Sequence, residues 1–311
     1  MSEPNTALLD KVEGKTGLAG SNKMEILLFT LGTGELFGIN VFKVREVSQT
    51  PAITKTPNMP HGIEGVISLR GNIIPVIALA QFIQLEGAPE DTGQTMIVTE
   101  FSRHTQGFLV HDVDRIIRVD WDRVKPPQAM LAGNEGLITA ITELPNGKLV
   151  SILDVEQILA NAIGIEPIPD LPPIETESER MVFFADDSTV ARKEIMMVLD
   201  KLGVKYQQSN DGLEAWEKLQ GLANRAQHDG LPLRDQLSIV LTDAEMPEMD
   251  GYVLTKKIKS DRKFEGIPVV MHSSLSSEAN RVMGQQVGVD AYVAKFDPVV
   301  LAETLRPLLM R

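Results

Sequence analysis

From residue 24 the chain sets short apolar runs between turn residues. Ile26-Leu27-Leu28-Phe29-Thr30-Leu31 is followed by Gly32-Thr33-Gly34 and then Leu36-Phe37-Gly38-Ile39, which predicts a hairpin. Val66-Ile67-Ser68-Leu69 and Ile73-Ile74-Pro75-Val76-Ile77, joined by Arg70-Gly71-Asn72, predict a second. Further strands are expected at Met96–Phe101, Gly107–Val119, Leu137–Glu143 and Leu149–Leu153. Many short strands punctuated by Gly, Pro and Asn predict a barrel or a sandwich. Asp154–Ile163 then switches to a helical period, an amphipathic closing helix with Asp154 as its N-cap. Residues 1–23 are polar and Gly-rich and read as a flexible segment, with one short helix around Leu8, Leu9 and Val12.

The pattern breaks at residues 166–179, Glu166-Pro167-Ile168-Pro169-Asp170-Leu171-Pro172-Pro173-Ile174-Glu175-Thr176-Glu177-Ser178-Glu179. Its prolines cannot sustain a helix and its acids keep it solvated, so an extended, semi-stiff spacer is expected. From 180 to 311 strands alternate with helical patterns, the signature of a doubly wound parallel sheet. The stretch from Gly221 to Asp235 is long for a connection into the third strand and reads as an extended second helix followed by a loop.

Composition adds exclusions. A chain of 311 residues suits two domains, and 43% hydrophobic residues allow each its own core. No apolar stretch is long enough to span a bilayer. Met1-Ser2-Glu3-Pro4-Asn5-Thr6 lacks the basic and apolar regions of a secretory signal. The absence of cysteine excludes disulfides and thiolate chemistry and fits a reducing cytosol. A net charge of -13 argues against a nucleic-acid partner, whose backbone would repel the chain.

The chemistry lies at strand exits in the second half. Val182-Phe183-Phe184-Ala185 ends in Asp186-Asp187, and Ser238-Ile239-Val240-Leu241-Thr242 ends in Asp243, followed by Ala244-Glu245-Met246-Pro247-Glu248-Met249-Asp250-Gly251. Pro268-Val269-Val270-Met271-His272 delivers Ser273, and Ala291-Tyr292-Val293-Ala294 delivers Lys295. Asp-Asp, Asp, Ser and Lys at four successive strand ends resemble the receiver domain of two-component response regulators. The resemblance covers about residues 180 to 311 and implies a flavodoxin-like fold of five parallel strands. It makes Asp243 the phosphoacceptor, with Lys295 and Ser273 contacting the phosphoryl group and Tyr292 as an aromatic switch. A fixed, half-buried aromatic is the plainer reading of Tyr292. Three converging carboxylates repel one another unless a cation neutralises them, and hard oxygen donors beside a phosphoryl group favour Mg2+. By resemblance Asp187 and Asp243 ligate it directly, Asp186 acts mainly through water, and the backbone carbonyl of Glu245 completes the set. Two positions depart from the family. Phe296 stands where many receivers have proline after the lysine, and Glu245 where a neutral residue is common.

The first half carries a second resemblance. Phe37-Gly38-Ile39-Asn40-Val41-Phe42-Lys43-Val44-Arg45-Glu46-Val47, the hairpin Val66–Ile77 with Leu69-Arg70-Gly71, and Gly107-Phe108-Leu109-Val110-His111-Asp112-Val113 resemble CheW-like domains. Ala78 and Ser68 depart from the family's usual Asp and Asn. The resemblance implies an all-β double barrel over residues 24–165. Val44 and Val47 are expected on one face of a short helix, with Glu46 beside them and Arg70 at a hairpin tip, as partner-binding residues. Core packing for the valines and a bracing role for Arg70 are the structural alternatives. A CheW-like domain joined to a receiver resembles the CheV family of chemotaxis coupling proteins. It implies a cytoplasmic adaptor at chemoreceptor arrays, linking methyl-accepting chemoreceptors to the histidine kinase CheA, without nucleic acid or membrane insertion. It is not an enzyme in the ordinary sense, although Mg2+-dependent self-phosphorylation and slow autodephosphorylation are expected. The alternative is a sink that drains phosphoryl groups from CheA. A transcription factor is disfavoured, since no helix-turn-helix pattern follows the receiver.

Overall fold

The computed structural model describes residues 23–89, 93–101, 104–127, 137–164, 168–174, 181–274, 278–295 and 297–310. The expected helix near Leu8 lies outside them. The described residues form two compact units that divide near residue 165.

The first unit is built of β1 (Lys23–Thr30), β2 (Leu36–Asn40), β3 (Val44–Gln49), β4 (Ile63–Leu69), β5 (Asn72–Ala78), the single turn α1 (Leu79–Phe82), β6 (Thr95–Phe101), β7 (His104–Val110), β8 (Asp112–Asp120), β9 (Ile138–Glu143), β10 (Leu149–Leu153) and α2 (Val155–Ile163). They make two five-stranded sheets, ordered β8-β1-β2-β10-β9 and β3-β6-β7-β5-β4. Each sheet returns toward its starting edge. Chain leaving β8 bridges β9 at Lys125–Ile141, and chain leaving β3 bridges β4 at Thr54–Val66. The run expected as one strand from Gly107 to Val119 is two, broken at His111.

The unbroken apolar run in β1 has a packing reason. Ile26 and Leu28 face a core with Val119, Val124 and Ile152, while Leu27 and Phe29 face one shared by both sheets and α2. A strand buried on both faces needs no polar alternation. Helix α2 closes that shared core with Val155, Ile158 and Leu159. Its N-cap is Asp154, whose carboxylate accepts from the Glu156 and Gln157 amides.

The second unit contains β11 (Met181–Ala185), α3 (Thr189–Leu202), β12 (Tyr206–Ser209), α4 (Gly212–His228), β13 (Leu237–Thr242), α5 (Gly251–Ser260), β14 (Val269–Ser273), α6 (Glu278–Val287), β15 (Ala291–Ala294) and α7 (Pro298–Leu309). All strand pairings are parallel, in the order β12-β11-β13-β14-β15. The long segment from Gly221 resolves into the end of α4 and a 3-10 turn at Leu233–Asp235, as expected. Alternate residues of β11 and β13 supply both faces. Phe183 and Val240 pack against α4 and α5, and Val182, Phe184, Ile239 and Leu241 against α3 and α7.

The described part of the acidic, proline-rich segment differs from a solvated spacer. Ile174 is buried, and Ile168 and Leu171 pack against the α3 and α7 core. The Ile174 amide donates to the Leu202 carbonyl at 2.9 Å. The prolines do prevent a helix there, and three apolar side chains outweigh the solvation of the acids.

Candidate functional site

Backbone pairing aligns the strand ends. Ala185 is in register with Ser209 on one side and Thr242 on the other. The ladder continues one step past each strand. The Asp243 amide donates to the Ala185 carbonyl at 2.9 Å, and the Lys295 amide donates to the Ser273 carbonyl at 3.0 Å. Parallel strands thus deliver Asp186, Asp243 and Lys295 to one edge, the carboxyl edge where such sheets bind ligands.

There the side chains meet. Lys295 Nζ lies 2.8 Å from Asp186 Oδ2 and 2.9 Å from Asp243 Oδ2. Asp186 is 0% exposed, Asp243 5% and Lys295 6%, so these charges interact away from water. Asp187 is half-buried, and oxygens from all three aspartates lie within 4.8 Å of one another. Burial is the main cause that pushes the Asp243 carboxyl up to about 8. Lys295 opposes that rise, and the charges of Asp186 and Asp187 add to it. Three clustered oxygen donors, two of them buried and served by one ammonium, fit a hard divalent cation.

Ser273 and Tyr292 form a second group. The Tyr292 hydroxyl is hydrogen-bonded to Ser273 and is pushed up to about 12, chiefly by burial. It also feels the charges of Asp243 and Glu245. Glu245 itself is half-buried. The Arg281 guanidinium sits 5.5 Å from the centre of the Tyr292 ring, a cation–π contact that holds the ring from outside. The Lys295–Phe296 peptide lies outside the described residues.

Supporting residues escaped the sequence reading. The Ser188 amide donates to Asp186 Oδ1 at 2.9 Å, and Arg192 donates to the Asp186 carbonyl at 2.7 Å, so the start of α3 orients that acid. Gly251 closes the Asp243 loop from below. A Cβ there would sit 1.9 Å from the Asp243 carbonyl oxygen, so only glycine fits. Asp250 caps α5 by accepting from the Val253 amide at 2.7 Å. The Asp250-Gly251 pair is the sequence signal that marks this close approach.

The two units match two families. Residues 25–162 match the CheW-like domain family, and residues 182–306 match the response regulator receiver domain family. Chemotaxis protein CheV3 of Helicobacter pylori is 35% identical over 280 residues, 88% of this chain and 88% of that protein. The chain belongs to the CheV family. Chemotaxis protein CheV2 of the same organism is 28% identical over 317 residues, 96% of this chain and 98% of that protein. Chemotaxis protein CheY1 of H. pylori matches the second unit alone, 35% identical over 126 residues, 40% of this chain and 92% of that protein.

The CheW-like half of this CheV-family chain corrects part of the expected coupling surface. Val44 and Val47 are not on a helix; they lie in β3. Val44 is 1% exposed and belongs to the core, with Val47 packed against the same cluster, so Val44 cannot meet a partner. The pairing of β3 with β6 shifts register between Val44 and Glu46. That bulge brings residues three apart to one side of a strand, which imitates helical spacing. Arg70 and Gly71 form the two-residue tip between β4 and β5, both at positive φ, and Arg70 is ion-paired with Glu46. Arg70 is largely exposed, and Ile73 beside the same tip is 76% exposed.

Proposed function

We propose that this protein is a chemotaxis adaptor whose CheW-like domain couples methyl-accepting chemoreceptors to the histidine kinase CheA, and whose receiver domain regulates that coupling through phosphorylation of Asp243. The observation that carries the reading is a buried Asp186–Lys295–Asp243 cluster on the same chain as a CheW-like domain.

Asp243 Oδ2 would attack phosphorus in the phosphohistidine of CheA. The new O–P bond forms as the P–N bond breaks, and the imidazole leaves with its electron pair. Lys295, already at 2.9 Å from that oxygen, would release it and follow charge onto the phosphoryl oxygens. The Asp243 Oδ1 atom accepts from the Ala244 amide at 2.6 Å, which holds the carboxylate plane during attack. Ser273 would exchange its Tyr292 partner for a phosphoryl oxygen, and Tyr292 would report that exchange to the surface. Asp186, Asp187, Asp243 and the Glu245 carbonyl would hold Mg2+, which supplies positive charge that favours ionised Asp243 and screens the incoming phosphoryl group. On the first domain, exposed Arg70 with Glu46 is the polar part of the coupling surface.

The test is transfer of label from phosphorylated CheA, with Asp243→Asn as control and binding to receptor arrays measured in parallel. Label on wild type only, with altered array coupling on phosphorylation, is expected. Stable label on Asp243→Asn would refute the acceptor assignment.

A further inference from the structure

Residues 168–174 contain three apolar side chains spaced three apart, Ile168, Leu171 and Ile174. An extended proline-rich chain turns once every three residues, so this spacing puts all three on one side. That side is laid on the receiver core between α3 and α7. Polar contacts hold the backbone as well. The Ile174 amide donates to Leu202, and the Arg306 guanidinium on α7 donates to the Pro172 carbonyl at 2.5 Å and to the Pro173 carbonyl at 3.4 Å. Lys201 and Asp170 add an exposed pair at 3.2 Å that contributes little.

We infer that this segment is a releasable strap, an intramolecular ligand of the α3–α7 face that sets the length of free chain between the two domains. When the strap is docked, only four residue steps separate Gly164 from the first anchor, Ile168, about 14 Å at full extension. When it is released, seventeen steps run from Gly164 to Met181, about 60 Å. Helix α7 also starts close in sequence to the acidic pocket. Lys295 is three residues from the first residue of α7, and Arg306 lies further along that helix. Here the strap is docked and Lys295 spans Asp186 and Asp243. Redirecting Lys295 to a phosphoryl group would pull on the start of α7, and a shift of that helix would move Arg306 off the two carbonyls, so phosphorylation should release the strap. This last step rests on the phosphoacceptor reading above.

The experiment uses the full chain with Mg2+ and acetyl phosphate as phosphoryl donor. Amide hydrogen exchange reads the strap, and intact mass reads phosphorylation. The chain has no cysteine, so spin labels at Asn146→Cys and Glu303→Cys report the spread of inter-domain distances without background. In the resting protein the Ile174 amide should be protected and the distances confined. Ile174→Ser and, separately, Arg306→Gln should remove protection and broaden the distances while leaving phosphate uptake intact. Acetyl phosphate should speed Ile174 exchange about tenfold, a usual size for coupling between sites, and should do nothing to Asp243→Asn. Free-chain exchange in the resting wild type, or unchanged distances in both strap variants, would overturn the strap. Unchanged exchange in protein whose mass shows the phosphoryl group would overturn its link to the pocket. A wild type that gains no phosphoryl mass defeats the phosphoacceptor reading instead, and resting protection still decides the strap.

Discussion

Asp243→Asn should change how the stability of the metal-free receiver domain depends on pH. In the folded protein the Asp243 carboxyl is pushed up to about 8, with burial as the largest cause. In the unfolded chain an aspartate titrates near ~3.9. Between those values the folded state binds a proton that the unfolded state releases. The stabilisation from neutral Asp243 is therefore complete below about 4 and is lost as pH rises through about 8. One proton gives a slope of at most about 1.4 kcal/mol per pH unit. From pH 5.5 to 7.5 the wild type should lose up to about 3 kcal/mol from this group, and Asp243→Asn should lose none of it. The assay is urea unfolding in EDTA at several pH values, read by Trp216 in a Trp121→Phe background, since Trp121 belongs to the other unit. Saturating Mg2+ should reverse the trend, because a cation binds the ionised carboxylate and stability then rises with pH. Equal pH slopes for wild type and variant in EDTA would show that Asp243 ionises normally in the fold and refute the reasoning.

Lys295→Met leaves two buried carboxylates without the ammonium that now touches both, at 2.8 and 2.9 Å. It should cost the receiver about 3 kcal/mol at pH 8 in EDTA and less at pH 5, with Mg2+ restoring much of the loss in the same urea assay. Gly251→Ala puts a methyl group 1.9 Å from the Asp243 carbonyl. It should lower receiver stability by more than about 2 kcal/mol and weaken Mg2+ binding measured by calorimetry. In the first domain, Val44→Ser should cost about 2 kcal/mol from core packing. Arg70→Ala should move stability by less than about 0.5 kcal/mol while weakening capture of CheA or chemoreceptor in a pull-down. Equal stability losses for the two would refute the split between core and coupling surface.

The acidic pocket was legible because its signal is local. An apolar strand run that ends in a polar residue places that residue at the sheet edge whichever strand lies next to it, and Asp186, Asp243, Ser273 and Lys295 each end or follow a strand of this kind. The Asp154 cap was legible for the same reason, since a cap acts on amides two and three residues away. Gly251 was visible only as part of a motif. Its reason is the Asp243 carbonyl beneath it, a contact that exists only once the loop has folded back.

Where signals depend on what lies opposite, local pattern misled. Val44 and Val47 have helical spacing, yet a bulge against β6 puts both on the inner side of a strand. The acidic, proline-rich segment has a solvated composition, yet the α3–α7 face offers a cover for Ile168, Leu171 and Ile174. By itself the sequence determined which residues leave the strands, that Asp154 caps the closing helix and which half is all β, because those choices rest on period and on neighbours a few residues away. Only the tertiary structure decided that Lys295 would sit between Asp186 and Asp243, that Val44 would be core, and that the linker would dock. Each of those outcomes depends on surfaces distant in the chain that burial brings together.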